Sequence, residues 1–142
     1  MFKINISEKS GKTYKIEAEA ISLIGKKLHD KIQGKEISPD LEGYELEITG
    51  ASDKSGFTAH EKAEGIGLKK LLLSYEKGMK KSIRKEGKKK LGRTKPKGLR
   101  LRKTVRGNTI SDAVIQINFK ILKQGKKKLE EIFGKEEEKP KE

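Results

Sequence analysis

Val114-Ile115-Gln116-Ile117-Asn118-Phe119-Lys120-Ile121-Leu122 is the strongest strand in the chain. It is rich in β-branched residues and alternates in polarity. Ile115, Ile117, Phe119 and Ile121 are expected on one face, with Gln116, Asn118 and Lys120 on the other. Working outward, Phe2, Ile4 and Ile6 alternate with polar residues, and Tyr14, Ile16 and Ala18 repeat the pattern after Ser10-Gly11-Lys12. That spacing predicts a hairpin. Ala20, Ile21, Leu23 and Ile24 favour a short helix stopped by Gly25. Leu28 and Ile32 follow, and Gly34 breaks the chain again. Tyr44, Leu46 and Ile48 alternate between Gly43 and Gly50, and residues 50–57 are turn-rich. Residues 68–74 read as a strand with both faces partly buried, and regular structure resumes near Thr104.

Short strands separated by Gly-containing turns predict a mainly β protein with a small β-barrel body. Helical content is expected to be low, with a second short helix over 126–133, where Leu129, Ile132 and Phe133 pack back on the body. Residues 135–142 read as a charged, disordered tail. The expected organisation is one domain over 1–125, interrupted by a basic insert at 75–103, followed by the helix and tail at 126–142.

The chain has 142 residues, 32% hydrophobic and 39% charged, with a net charge of +14. Its charge is not spread evenly. Between Lys69 and Arg106 seventeen Lys and Arg face two acids, Glu76 and Glu86; elsewhere eighteen bases meet nineteen acids. A near-neutral body therefore carries one cationic segment. Charge runs on solvated surfaces normally mix signs, so this imbalance calls for an anionic partner. RNA fits best, because Lys and Arg release the counterions condensed on a polyphosphate. Lys acts as a point charge, which favours docking over reading of sequence. The expected phosphate-contacting residues are Lys69, Lys70, Lys80, Lys81, Arg84, Lys88, Lys89, Lys90, Arg93, Lys95 and Lys97, then Arg100, Arg102, Lys103 and Arg106. The last four stand where the segment re-enters the β body and should be the best fixed.

Other chemistries find little support. Apolar residues are sparse from 75 to 101, so no independent fold is expected there. Of the aromatics, Phe2, Tyr14, Tyr44 and Phe119 fall on strand faces; Phe57 and Tyr75 are the candidates to meet a base. Without Cys there is no disulfide and no thiolate site, and His29 and His60 show no metal-ligand spacing. Residues 87–94 imitate a phosphate-binding loop, but Arg93 stands where Lys is required. No catalytic residue, cofactor, metal or small-molecule substrate is expected. No signal peptide is expected either, and no apolar run approaches the ~20 residues of a membrane span.

Three linked stretches carry a resemblance. Residues 50–57, Gly-Ala-Ser-Asp-Lys-Ser-Gly-Phe, are similar to a Gly-Gly-x-Asp-Lys-x-Gly-Phe turn. Leu71-Leu72-Leu73-Ser74 is similar to a Leu-Leu-Leu-Ser strand. Residues 102–110, Arg-Lys-Thr-Val-Arg-Gly-Asn-Thr-Ile, with Asp112 and 114–125, resemble a basic re-entry strand and a last long strand. Together, in this order, they resemble the small-subunit ribosomal protein six family of eukaryotes and archaea, over roughly residues 1–125. The chain departs from that pattern at Ala51 and at Thr58-Ala59. It lacks the long serine-bearing C-terminal helix of eukaryotic members, so it resembles the short archaeal form.

The resemblance implies a barrel body, a basic extension, a structural role on small-subunit ribosomal RNA beside neighbouring ribosomal proteins, and a cytoplasmic location in the ribosome. It also adds Asn108 to the expected RNA contacts. The alternatives from the residues alone are a free RNA-binding protein or RNA chaperone, and, less favoured, an RNA-acting or nucleotide-hydrolysing enzyme.

Overall fold

The computed structural model describes residues 1–74, 98–125 and 127–133. Among these residues the chain order is β1 (Phe2–Ser7), β2 (Thr13–Ala18), β3 (Lys31–Gln33), β4 (Glu45–Asp53), β5 (Leu68–Leu73), β6 (Leu101–Arg106), β7 (Val114–Lys123) and α1 (Leu129–Phe133). Short 3-10 turns occupy Ile21–Leu23, Gly34–Glu36 and Pro39–Leu41. The mainly β expectation holds, as does the short C-terminal helix.

Five strands form one mixed sheet in the order β2-β1-β7-β4-β3. β1 and β2 make the predicted hairpin, with Ile4 opposite Ile16 and Ile6 opposite Tyr14. β7 lies at the centre. It runs parallel to β1, with Ile117 beside Ile4, and antiparallel to β4. A central strand needs apolar side chains along its length, which is why this segment was so legible. Ile117 and Phe119 are fully buried beside Ile4, Ile6, Leu46 and Ile48. Burying each such side chain stabilises the fold by about 1.5–3 kcal/mol.

The barrel expectation is not met. The main sheet is open, with edges at β2 and β3, while among the described residues β5 and β6 form a separate two-stranded ribbon. Closure fails because β3 is three residues long and is followed directly by a 3-10 turn, so that edge offers little ladder. Irregular elements cover the core instead. Leu23 and Leu41 from the 3-10 turns, Ile110 from a loop and Leu129 from α1 join the same buried cluster. The Tyr44 hydroxyl donates to the Lys127 carbonyl, and Tyr14 meets the Phe133 ring at 5.5 Å.

Several local expectations also shift. The helix expected around 20–24 is a single 3-10 turn, and β3 was not foreseen. The segment 68–74 is largely exposed: Leu73 is buried and Leu71 partly so. β6 begins at Leu101, so the last three residues of the expected insert are strand. β4 runs past Gly50 to Asp53, into the stretch read as turn. Ile48 lies opposite Phe119 and Gly50 opposite Asn118, so the register shifts at Thr49 in a bulge. One extra residue moves the buried parity from Leu46 and Ile48 to Ala51 and Asp53. A second shift opposes Asp53 to Val114 and Ser52 to Gln116. Ile115 is thereby only partly buried, and Val114 takes its expected place in the core.

Candidate nucleic-acid interface

The β5–β6 ribbon presents the cationic residues that the structure describes. Its ladder sets Leu68 opposite Arg106, Lys70 opposite Thr104 and Leu72 opposite Arg102. Residues directly opposite share a face. The other face carries Lys69 with Val105, Leu71 with Lys103 and Leu73 with Leu101. This second face packs inward: Leu73 and Val105 are buried with Ala63, and Leu71 and Leu99 lean on that cluster. Lys69 is exposed and Lys103 partly so. Lys70 and Arg102, on the first face, are exposed, as is Arg100 just before β6. Neither strand contains an acidic residue.

Arg106 behaves differently. Its Nε donates to Asp53 Oδ2 at 3.0 Å and its Nη1 to the Ile66 carbonyl at 3.0 Å. The two charged side chains are 14% and 5% exposed, so this pair is largely out of water. Burial pushes the Asp53 carboxyl up, but hydrogen bonding from Phe57 N–H and the Arg106 guanidinium outweighs it and holds the group below the usual carboxylate range. The sequence expectation placed Arg106 among the phosphate contacts; in the structure its guanidinium bonds Asp53 and the Ile66 carbonyl, at the joint between ribbon and sheet.

The turn at 53–57 builds the other half of that joint. Phe57 N–H donates to Asp53 Oδ1 at 2.8 Å, and Gly56 N–H to the Asp53 carbonyl at 3.1 Å. Gly56 has φ +84°, a region costly for side chains. Ala51 tucks its methyl into the core, and Ala59 N–H bonds the Ala51 carbonyl, so neither departure from the family pattern disrupts the turn. Arg106 N–H then donates to the Thr58 carbonyl and His60 N–H to the Arg106 carbonyl. At Gly107 the backbone passes so close to Gly65 that an added Cβ would sit 1.7 Å from the Gly65 oxygen.

Asn108 is partly buried. Its amide Nδ2 reaches the Glu61 carbonyl at 3.5 Å and its Oδ1 accepts from Thr109 Oγ1 at 3.1 Å. Phe57 is half-buried. Tyr75, the phosphate-loop imitation at 87–94, and Lys80, Lys81, Arg84, Lys88, Lys89, Lys90, Arg93, Lys95 and Lys97 lie outside the described residues.

Sequence reasoning missed two features. Asp53 was read only as part of a turn, although an Asp followed by Lys-Ser-Gly is a standard turn-forming signal whose side chain can accept bonds. His29 was set aside for lacking metal spacing. It bridges Glu47 Oε1 at 3.0 Å and Glu61 Oε1 at 2.8 Å, tying β4 to the loop that leads into the ribbon. No pattern in the sequence links those three positions.

The ribbon, its acid-free strands and the Asp53 turn occupy the three stretches that carried the resemblance. The family model for ribosomal protein S6e matches residues 2–134. The chain belongs to the ribosomal protein S6e family. Its relatives agree. It is 42% identical over 125 residues to the small ribosomal subunit protein eS6 of Methanococcus maripaludis, covering 87% of this chain and 89% of the relative. It is 41% identical over 128 residues to eS6 of Methanocaldococcus jannaschii, covering 90% and 86%. The eS6 of Archaeoglobus fulgidus aligns over 143 residues at 41% identity, covering 96% and 98%. These S6e relatives are archaeal, as the short form implied. S6e membership places the chain among ribosomal structural proteins and not among enzymes. Among the described residues no helix is long and apolar enough to cross a membrane.

Proposed function

We propose that this protein is a structural constituent of the small ribosomal subunit, acting in the cytoplasm, that braces ribosomal RNA through its Lys/Arg-rich segment. Family membership supports the ribosomal setting. The observation that carries the RNA reading is the ribbon itself, with exposed Lys69, Lys70, Arg100 and Arg102 and no acid in either strand. The near-neutral sheet serves as a frame. Asp53 and Arg106 fix how the ribbon leaves it, so Arg106 positions the interface without occupying it. Residues 1–125 act as one body with 75–103 as its RNA-binding insert, and the eleven Lys and Arg of 75–97 add to the positive charge of that segment. Neighbouring ribosomal proteins share the assembly. The work is electrostatic: phosphates of adjoining RNA helices are neutralised so that the helices can approach. No bond chemistry is involved.

The test is co-sedimentation with small subunits through a moderate salt wash, followed by backbone footprinting of subunits with and without the protein. Retention, with protection confined to one folded RNA region, is the expected result. A protein that washes off and binds unrelated RNAs equally well is a chaperone, and the reading falls.

A further inference from the structure

The outward face of the ribbon is not purely cationic. Leu68 is 48% exposed and Leu72 54%, and both share that face with Lys70 and Arg102. Ile66 just before β5 is 57% exposed. Of the seven large hydrophobic residues exposed among the described ones, four (Ile66, Leu68, Leu72 and Leu101) belong to this ribbon or its lead-in. Isolated exposed leucines need no explanation, but a cluster on a two-stranded element does.

We infer that the Leu68–Lys70–Leu72 face of the ribbon seats in the shallow groove of an RNA duplex, the leucines against ribose and Lys70 and Arg102 on the flanking phosphates. The inference rests on the RNA reading above and adds a contact surface to it. Charge selects the occupant. The two strands carry Lys69, Lys70, Arg102, Lys103 and Arg106 and no acid, and among the described residues Arg106 is paired with a carboxylate, that of Asp53. The partner on this face must therefore be anionic and also offer apolar surface. A-form RNA does both: its minor groove is wide and shallow, lined by sugars and edged by phosphates. A stacked single strand fits less well, since neither strand of the ribbon carries an aromatic ring. Leu68 and Leu72 stand about 13 Å apart along one strand, at ~3.3 Å per residue, with Lys70 between them on the same face. The two kinds of contact are separable, because burying a leucine releases no counterions while removing a cation does.

Full-length protein is titrated into small-subunit ribosomal RNA from Methanocaldococcus jannaschii across a salt series. Leu68→Thr/Leu72→Thr keeps strand propensity and is expected to weaken binding about tenfold or more, each half-exposed leucine being worth roughly three- to tenfold. Its slope of log K against log[salt] should match wild type. Lys70→Ala/Arg102→Ala should reduce the slope by about 1.4–1.8. Circular dichroism and thermal melting establish that the leucine variant is folded, and Leu72→Thr alone repeats the measurement with a lighter change. Wild-type affinity in the folded leucine variants overturns the inference while leaving the RNA reading intact. Unchanged RNA affinity with lost retention on subunits also overturns it, because the face then meets a protein. Absence of salt-dependent RNA binding by the wild type defeats both readings.

Discussion

His29 adopts φ 69°, the left-handed region, which costs a side-chain-bearing residue about 1–2 kcal/mol. Its ring recovers part of that cost through Glu47 and Glu61. The hydrogen bonds that the ring donates to these two carboxylates, Glu47 first, raise the imidazole above its ordinary value, and the bond from His29 lowers Glu47. The sign follows from linkage. A raised His contributes stability that is full below its unfolded value, near 6.5, and is lost as pH climbs through the higher folded value. A lowered Glu contributes stability above its unfolded value and loses it as pH falls through the folded one. The clasp is therefore strongest between the unfolded value of Glu and that of His. His29→Asn, which tolerates the same backbone and carries no charge, should melt below wild type at pH 6, and the difference should shrink by pH 9. Thermal unfolding of both proteins across that range checks this; a gap independent of pH would show that the ring's charge is irrelevant. The effect is modest, since the His29 side chain is 48% exposed.

At the scale of elements, the ribbon is held to the sheet around Arg106, at the end of β6. A short parallel bridge between Ala59 and Arg106, the Asp53–Arg106 pair and the close pass of Gly107 over Gly65 make the joint. Because the pair is largely buried, removing one partner leaves the other charge stranded. Arg106→Ala is expected to destabilise the protein by about 2–4 kcal/mol, somewhat below the range for fully buried pairs. Urea unfolding measures that loss. In the folded variant at low urea, the salt slope of RNA binding should stay at its wild-type value, since Arg106 makes no phosphate contact in the proposed interface. A reduced slope with unaltered stability would return Arg106 to the list of RNA contacts.

The elements also show where local reading reaches its limit. Phe2, Ile4 and Ile6, and the run from Val114, were legible because alternation maps directly onto a half-buried strand. β3 was invisible: three residues with one apolar side chain, Ile32, give too short a period to detect. The bulge at Thr49 was equally hidden, since an inserted residue looks like any other until the register against a partner strand shows the shift.

Over the whole molecule, the charge asymmetry between body and basic segment dictates behaviour. If seven to ten of the cationic residues meet phosphates, log K for ribosomal RNA should fall with log[salt] at a slope of about −5 to −9. Filter binding between 50 mM and 300 mM salt measures it. A slope near −2 would mean that most of the seventeen basic residues stay in water, and the brace would lose its physical basis.

Composition and pattern alone determined the mainly β class, the strongest strand and the place of the cationic segment, and three linked motifs carried the family resemblance, because alternation, charge and short motifs are all local along the chain. Only the tertiary structure decided that the sheet stays open, that Arg106 faces Asp53 instead of solvent, that His29 joins two distant glutamates, and that two leucines stand exposed beside Lys70. Each of these depends on which strand lies opposite which, and register is set by packing across the core, which no stretch of the chain encodes by itself.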